Sequence, residues 1–233
     1  MPTLSYSGYR FPAEIIKRAV WMYLRFTLSF HDVEELLAER GIEVTYESVR
    51  RWVLTFGPQI ARRLRAQRPR PHSRWHLDEM AVRIGGKQMY LWRAVDAEGE
   101  VSDVLLQAKR DAKAAQKLMR KLLKRQGMAP DDWVTDKNPA YGAAIRALKL
   151  TRIPHTRRKR ANNRAESSHV PVRRRERKLQ GFKSPRSAQR FVSLHAATYN
   201  LFTMPRHLVS SRTHRLFRAG AFEAWRNAAG VSA

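Results

Sequence analysis

Apolar residues recur at helical spacing through the first sixty positions and then give way to shorter β-rich runs, so the chain reads as two textures in succession. Between Pro12 and Arg25 the stripe Ile15, Ile16, Ala19, Val20, Tyr23 and Leu24 predicts a first helix, with Pro12 suited to its opening turn. Ser29 stands three residues before Asp32 as a capping-box start for a second helix carrying Val33, Leu36 and Leu37, which Gly41 ends. Thr45 caps a third helix with Val49, Trp52 and Val53 inward, broken near Gly57-Pro58. Two short helices joined by a tight connection after a longer one are the layout of a helix-turn-helix module. Its exposed face would present Tyr46, Glu47, Arg50 and Arg51, although a plain three-helix bundle with a solvated face reads the same way.

From Arg62 to His72 the chain is basic, proline-bearing and without periodicity, which marks a linker. Beyond it, Trp75 to Ile84, Gln88 to Asp96 and Val101 to Gln107 predict a three-stranded antiparallel meander, turned at Gly85-Gly86-Lys87 and at Gly99. Asp111 caps a helix bearing Ala112, Ala115, Leu118, Met119, Leu122 and Leu123, closed by Gly127. A short strand follows at Trp133 to Thr135, then a helix opened by Asn138-Pro139 with Tyr141, Ile145 and Leu148 inward. Further helices start near Asn162 and at Ser184-Pro185, the latter with Phe191, Val192, His195 and Phe202 on its apolar side. Strands, a helix, a strand and more helices form an α/β layered order. The expected domains are a helix-turn-helix domain at 1–61, the linker at 62–72, an α/β core at 73–204 and a basic extension at 205–233.

Charge then narrows the partner. The 233 residues carry 46 Lys and Arg against 20 Asp and Glu, a net charge of +26. An excess of this size calls for a polyanion, nucleic acid before a membrane surface. It is uneven: residues 152–178 hold eleven basic residues against two acids, and residues 179–233 eight against one. There is no cysteine, which excludes disulfides, thiolate zinc sites and a Cys nucleophile. No apolar run has the length of a signal peptide core or a membrane span, so a cytoplasmic, nucleoid-associated protein without membrane contact is expected.

The remaining chemistry lies with carboxylates. Asp78 falls inside the first strand, where Asp packs poorly, and Asp136 just past the short fourth strand. Glu79 beside Asp78 points to the opposite face, so alternation alone does not choose between the two. Glu166 sits in a basic stretch on the helix that starts near Asn162, and after Asp136 the other acids are Glu176 and Glu223. Three ionised carboxylates brought together repel one another unless a divalent cation sits among them, which is the logic of a magnesium site acting on phosphodiesters. His72 and His76 have the spacing of a helical metal pair but straddle a linker and a strand, and His195 fits a core position.

Several blocks in order, WHLDEM (Trp75 to Met80), YLWRAVDAEG (Tyr90 to Gly99), AKRDAKAAQKLMRK (Ala108 to Lys121), TDKNPAY (Thr135 to Tyr141), NNRAE (Asn162 to Glu166) and GFKS (Gly181 to Ser184), make the chain resemble the bacterial insertion-sequence transposases of family six. The resemblance spans about Phe11 to Phe202. It implies a ribonuclease H-like, retroviral-integrase-type core and a DDE triad of Asp78, Asp136 and Glu166 that holds two Mg²⁺ ions, with Mn²⁺ able to substitute. It further implies DNA contact by Arg173, on one helix face with Glu166 and His169, although Pro171 between them should kink that helix. Arg157, Arg158, Lys159, Arg160 and Lys183 are the other core residues expected at DNA, and Tyr46, Arg50 and Arg51 those of the helix-turn-helix. Double-stranded DNA, as terminal inverted repeats and as target, and a homodimer or larger synaptic complex are the implied partners. One departure stands out: 29 residues separate Asp136 from Glu166, fewer than is usual, with the shortening in the loop around Leu150 to Arg157. The alternative function is a non-catalytic DNA-binding regulator or a decayed transposase.

Overall fold

The computed structural model describes residues 4–158, 160–203 and 209–230. The chain divides into two compact units, one made of residues 1–68 with 197–233 and the other of residues 69–196.

The first unit is helical. Helix α1 (Ala13–Arg25) buries Ile16, Ala19, Val20, Tyr23 and Leu24, the stripe expected from its spacing. Helix α2 (Phe30–Ala38) begins at a complete capping box: the Ser29 hydroxyl accepts from the Asp32 N–H, and the Asp32 carboxylate accepts from the Ser29 N–H. Helix α3 (Tyr46–Ala66) is capped by Thr45 and does not break at Gly57-Pro58. Its buried stripe of Trp52, Val53, Phe56, Ile60 and Leu64 continues at helical spacing across the proline. Packing of that stripe outweighs the roughly 3 kcal/mol that an interior proline costs. Arg62 to Ala66, expected as linker, are therefore helix.

The tail expected as an extension contains the last helix of the same unit (Ser211–Ala228, α8 below), capped by Ser210. It buries Ala221, Trp225 and Ala228, and Phe222 meets Trp21 of α1 with ring centroids 5.2 Å apart. The Tyr6 hydroxyl donates to the Ala229 carbonyl at 2.8 Å and the Arg63 guanidinium to the Ala228 carbonyl at 3.2 Å. Gly230 takes φ 78°, and a Cβ there would stand 3.2 Å from Leu4 Cβ. Leu4, Tyr6 and Arg63 thus close on Ala228 to Gly230.

The second unit is a five-stranded sheet with helices. Strands β1 (Arg74–Ile84), β2 (Lys87–Asp96) and β3 (Val101–Gln107) form the expected meander, and β4 (Asp132–Thr135) runs parallel to β1. A three-residue strand, β5 (His155–Arg157), pairs parallel with β4 and gives the order β3-β2-β1-β4-β5. It lies within the shortened stretch expected to be a loop; three residues carry no periodicity, and only the edge of β4 makes them a strand. Helices α4 (Ala112–Gln126) and α5 (Pro139–Ala147) close one core, in which Trp75, Leu77, Trp92 and Trp133 meet Leu118, Met119, Leu122, Tyr141 and Ile145. Helix α6 (Asn163–Lys178) lies against β1 and β2 and stays helical through Pro171. Helix α7 (Pro185–Phe202) follows, and its last turn belongs to the helical unit. This is the α/β, ribonuclease H-like layout that the resemblance implies.

Candidate active site

The site forms where β4 stops. Its last residue, Thr135, pairs with Leu77, so the next residues of β1, Asp78 and Glu79, lie beyond the end of β4 where Asp136 leaves the sheet. One carboxylate oxygen from each of Asp78, Glu79 and Asp136 lies within 4.8 Å of the others. Asp136 Oδ1 accepts from the Asn138 N–H at 2.9 Å, and the Asn138 side chain caps α5 by accepting from the Ala140 N–H at 2.9 Å. This local turn fixes the Asp136 carboxylate at the mouth of the sheet.

Glu79 is buried and its oxygens are taken. Oε1 accepts from Arg110 Nε at 2.6 Å and from Asn138 Nδ2 at 2.9 Å, and Oε2 accepts from the Tyr141 hydroxyl at 2.6 Å. Burial, and then the Glu79 charge, push the Tyr141 hydroxyl well above the ordinary tyrosine range, so it stays a donor. The Glu79 hydrogen bond raises the pKa of Arg110, which also stands 3.8 Å from Asp136. On the other face of β1, Asp78 Oδ2 lies 3.1 Å from His169 Nε2 of α6. Asn162, wholly buried ahead of α6, donates from Nδ2 to the Leu77 carbonyl at 2.8 Å, tying the start of the helix to the residue before Asp78.

The structure thus brings Asp78 and Asp136 together, with Glu79 rather than Glu166 as the third acid of the close group. Glu166 stands exposed on the first turn of α6, between the Asn162 anchor and the His169 contact, and outside that group. Hard carboxylate oxygens at this separation suit a divalent cation, and with no cysteine in the chain a soft-metal thiolate site is excluded. His72 and His76 join no such group among the described residues; burial, with Arg164 and Arg74 nearby, lowers the pKa of His76.

The candidate DNA residues divide between the units. In the helical unit Tyr46, Arg50 and Arg51 are exposed on the first turns of α3; the Tyr46 ring lies 4.2 Å from His31, and Arg50 pairs with Glu47 at 2.8 Å. In the sheet unit Arg157 and Arg158 are exposed at β5, with Arg157 donating to the Lys137 carbonyl just after Asp136. Arg173 is partly exposed and lies 3.5 Å from Glu176, and Lys183 is exposed beside the β1–β2 turn, where Gly85 N–H donates to the Phe182 carbonyl. Lys159 lies outside the described residues, and Arg160 enters only through its backbone in a short 3-10 turn. Sequence reasoning missed Arg110, Tyr141 and Asn162 as partners of the site. A signal was present: all three stand in blocks that carried the resemblance, and Tyr141 follows the Asn138-Pro139 helix start by one turn.

Residues 72–204 match the DDE-domain family model of IS240-type transposases. The chain is 32% identical over 201 residues to the transposase for insertion sequence-like element IS431mec of Staphylococcus aureus, covering 84% of this chain and 89% of that one. The chain belongs to this transposase family. The transposase of element IS257 in transposon Tn4003, also from Staphylococcus aureus, is 31% identical over the same length and coverage. Among solved structures, the HTLV-2 integrase catalytic core in complex with magnesium is similar at TM-score 0.44 and 16% identity, over 62% of this chain and 92% of that one. The BIV integrase core is similar at TM-score 0.40 and 16% identity, over 57% and 85%. As a member of the insertion-sequence family six transposases, the chain is a DDE-type polynucleotidyl transferase. Among the described residues, no helix is long and apolar enough to cross a membrane.

Proposed function

We propose that the transposase binds the terminal inverted repeats of its element through the helical unit and carries out Mg²⁺-dependent strand cleavage and strand transfer with Asp78, Asp136 and Glu166. The observation that carries this reading is the convergence of Asp78 and Asp136 at the end of β4 in a chain of a DDE family. Two Mg²⁺ ions, or Mn²⁺ in their place, would polarise the scissile phosphate and the attacking oxygen. Asp78 and Asp136 offer the central ligands, and Glu166 the third from α6, a helix tied to β1 by Asn162 and touching Asp78 through His169. Glu79, already accepting from three donors, orients its neighbours.

In cleavage a water oxygen bonds to phosphorus as the bond to the 3′ oxygen breaks, leaving a 3′-hydroxyl. In transfer that hydroxyl attacks a target phosphodiester, again forming one P–O bond and breaking one, so no external energy source is needed. Tyr46, Arg50 and Arg51 meet the repeat DNA. Arg157, Arg158, Lys159, Arg160, Arg173 and Lys183 hold the backbone near the acids, in keeping with the basic excess after residue 151. A homodimer or larger synaptic complex joins the two element ends, in a nucleoid-associated cytoplasmic setting.

The test is strand transfer with terminal-repeat DNA and Mg²⁺, comparing wild type with Asp78→Asn, Asp136→Asn, Glu166→Gln and Glu79→Gln. The first three should lose joining by several orders of magnitude while retaining repeat binding. Full activity in Glu166→Gln would remove that residue from the triad, and binding by all proteins with joining by none would make the chain a DNA-binding regulator.

A further inference from the structure

Arg110 lies in the connection between β3 and α4, half-exposed, yet its guanidinium is committed to the acids. Nε donates to Glu79 at 2.6 Å and the terminal nitrogen Nη2 stands 3.8 Å from Asp136. Three carboxylates within 4.8 Å of one another need a cation nearby to stay ionised together. Apart from His169 beside Asp78, whose charge depends on its protonation, the ion pairs reaching this cluster among the described residues come from Arg110.

We propose that Arg110 is the resident counter-cation of the acid cluster, and that a divalent cation displaces its guanidinium from Asp136 in order to bind. The proposal rests on the metal-site reading above and adds a competitor to it. Two features suit the side chain to leaving. Half of it already faces solvent, and the next residue, Asp111, caps α4 by accepting from the Ala114 N–H at 2.8 Å, so the side chain can swing while the backbone stays fixed. Glu79 keeps Asn138 and Tyr141 as donors whether or not Arg110 stays, so the acid holds its place when the arginine leaves. The arginine thereby offsets one of the cluster's three negative charges in the free protein and weakens metal affinity below what the acids alone would give. Once displaced, its planar fork is the right shape for a phosphate oxygen pair arriving with the DNA.

The experiment titrates the full chain with Mn²⁺ alone in a calorimeter, comparing wild type with Arg110→Met, Arg110→Lys and Asp136→Asn. Arg110→Met, which keeps length and loses charge, should bind Mn²⁺ about tenfold more tightly, because the 3.8 Å ion pair with Asp136 no longer competes for the site. Arg110→Lys should stay within about twofold of wild type. Affinity in Arg110→Met equal to or below wild type overturns the proposal. Asp136→Asn separates the two layers: if it binds Mn²⁺ as wild type does, the metal-site reading itself fails and the proposal goes with it. Thermal melts give a second readout. Without metal Arg110→Met should melt below wild type, and saturating Mn²⁺ should erase the difference; a deficit that persists with Mn²⁺ means the arginine is only a structural tie, which also overturns the proposal.

Discussion

Tyr141 offers the sharpest test of how the site is held. It is wholly buried, and its hydroxyl donates to Glu79 Oε2 at 2.6 Å. Tyr141→Phe keeps the edge-to-face contact with Trp92, centroids 5.5 Å apart, and removes only the donor. A hydrogen bond to a charged acceptor contributes about 1.5–3 kcal/mol. Because Arg110 and Asn138 still serve the other oxygen of Glu79, a loss of about 2 kcal/mol at pH 7 is expected. The same residue carries a pH signature. Its hydroxyl is held well above the ordinary value of 10.0, by burial first and the Glu79 charge second. Above pH 10 the unfolded chain therefore releases this proton while the folded chain keeps it. The stabilisation is fully present below that pH and is lost at about 1.4 kcal/mol per pH unit as pH climbs toward the folded pKa. Phenylalanine has no such proton, so the gap between wild type and variant should close at that rate above pH 10. Tyr6, pushed up to about 12 by burial, is common to both proteins and cancels in the difference. Urea unfolding at pH 7, 10 and 11, with m-values checked for constancy, reads both effects. A gap that stays fixed above pH 10, or no destabilisation at pH 7, refutes the reasoning.

Other outcomes follow from neighbouring features. Asn162→Ala should cost about 1–3 kcal/mol by leaving the buried Leu77 carbonyl without that donor. It should also lower strand transfer while repeat binding is retained; equal transfer would make the tie irrelevant to catalysis. Arg173→Ala and Lys183→Ala should each reduce the salt dependence of duplex binding, the slope of log K against log salt falling by about 0.9 per lost phosphate contact. An unchanged slope would take that residue off the DNA. Trp225→Ala should destabilise the helical unit by about 3–5 kcal/mol and weaken repeat binding, with calorimetry resolving whether the sheet unit still melts as in wild type; repeat binding at wild-type strength would mean that α8 is not needed for recognition.

What the sequence disclosed depends on the range over which each element is determined. The turns at Gly85-Gly86 and Gly99 announce themselves because their positive φ values suit glycine, and the caps at Ser29, Thr45, Asp111 and Asn138 because a short polar side chain must meet a free N–H. The continuation of α3 through Pro58 did not, since local propensity opposes it and only tertiary burial overrides the proline. Strand β5 is defined by its partner and not by its own three residues. In α8 the spacing of Ala221, Trp225 and Ala228 was present all along, but what it packs on lies some two hundred positions away. At the site, Asp78 and Asp136 were legible from their odd positions in and beside strands. Glu79 was not, because strand alternation sends it to the opposite face from Asp78, and only the early end of β4 lets both acids reach the same space.

The closure of Leu4, Tyr6 and Arg63 onto Ala228 to Gly230 makes the helical unit discontinuous in the chain, with the sheet unit inserted into it. During synthesis, at about 5–20 residues per second, α3 emerges on the order of ten seconds before α8. The sheet unit thus has all its residues before the helical unit has its last helix. A message cut short before Trp225 would yield the catalytic residues without the finished helical unit, so on our reading incomplete chains would hold few element ends and compete weakly with full-length copies.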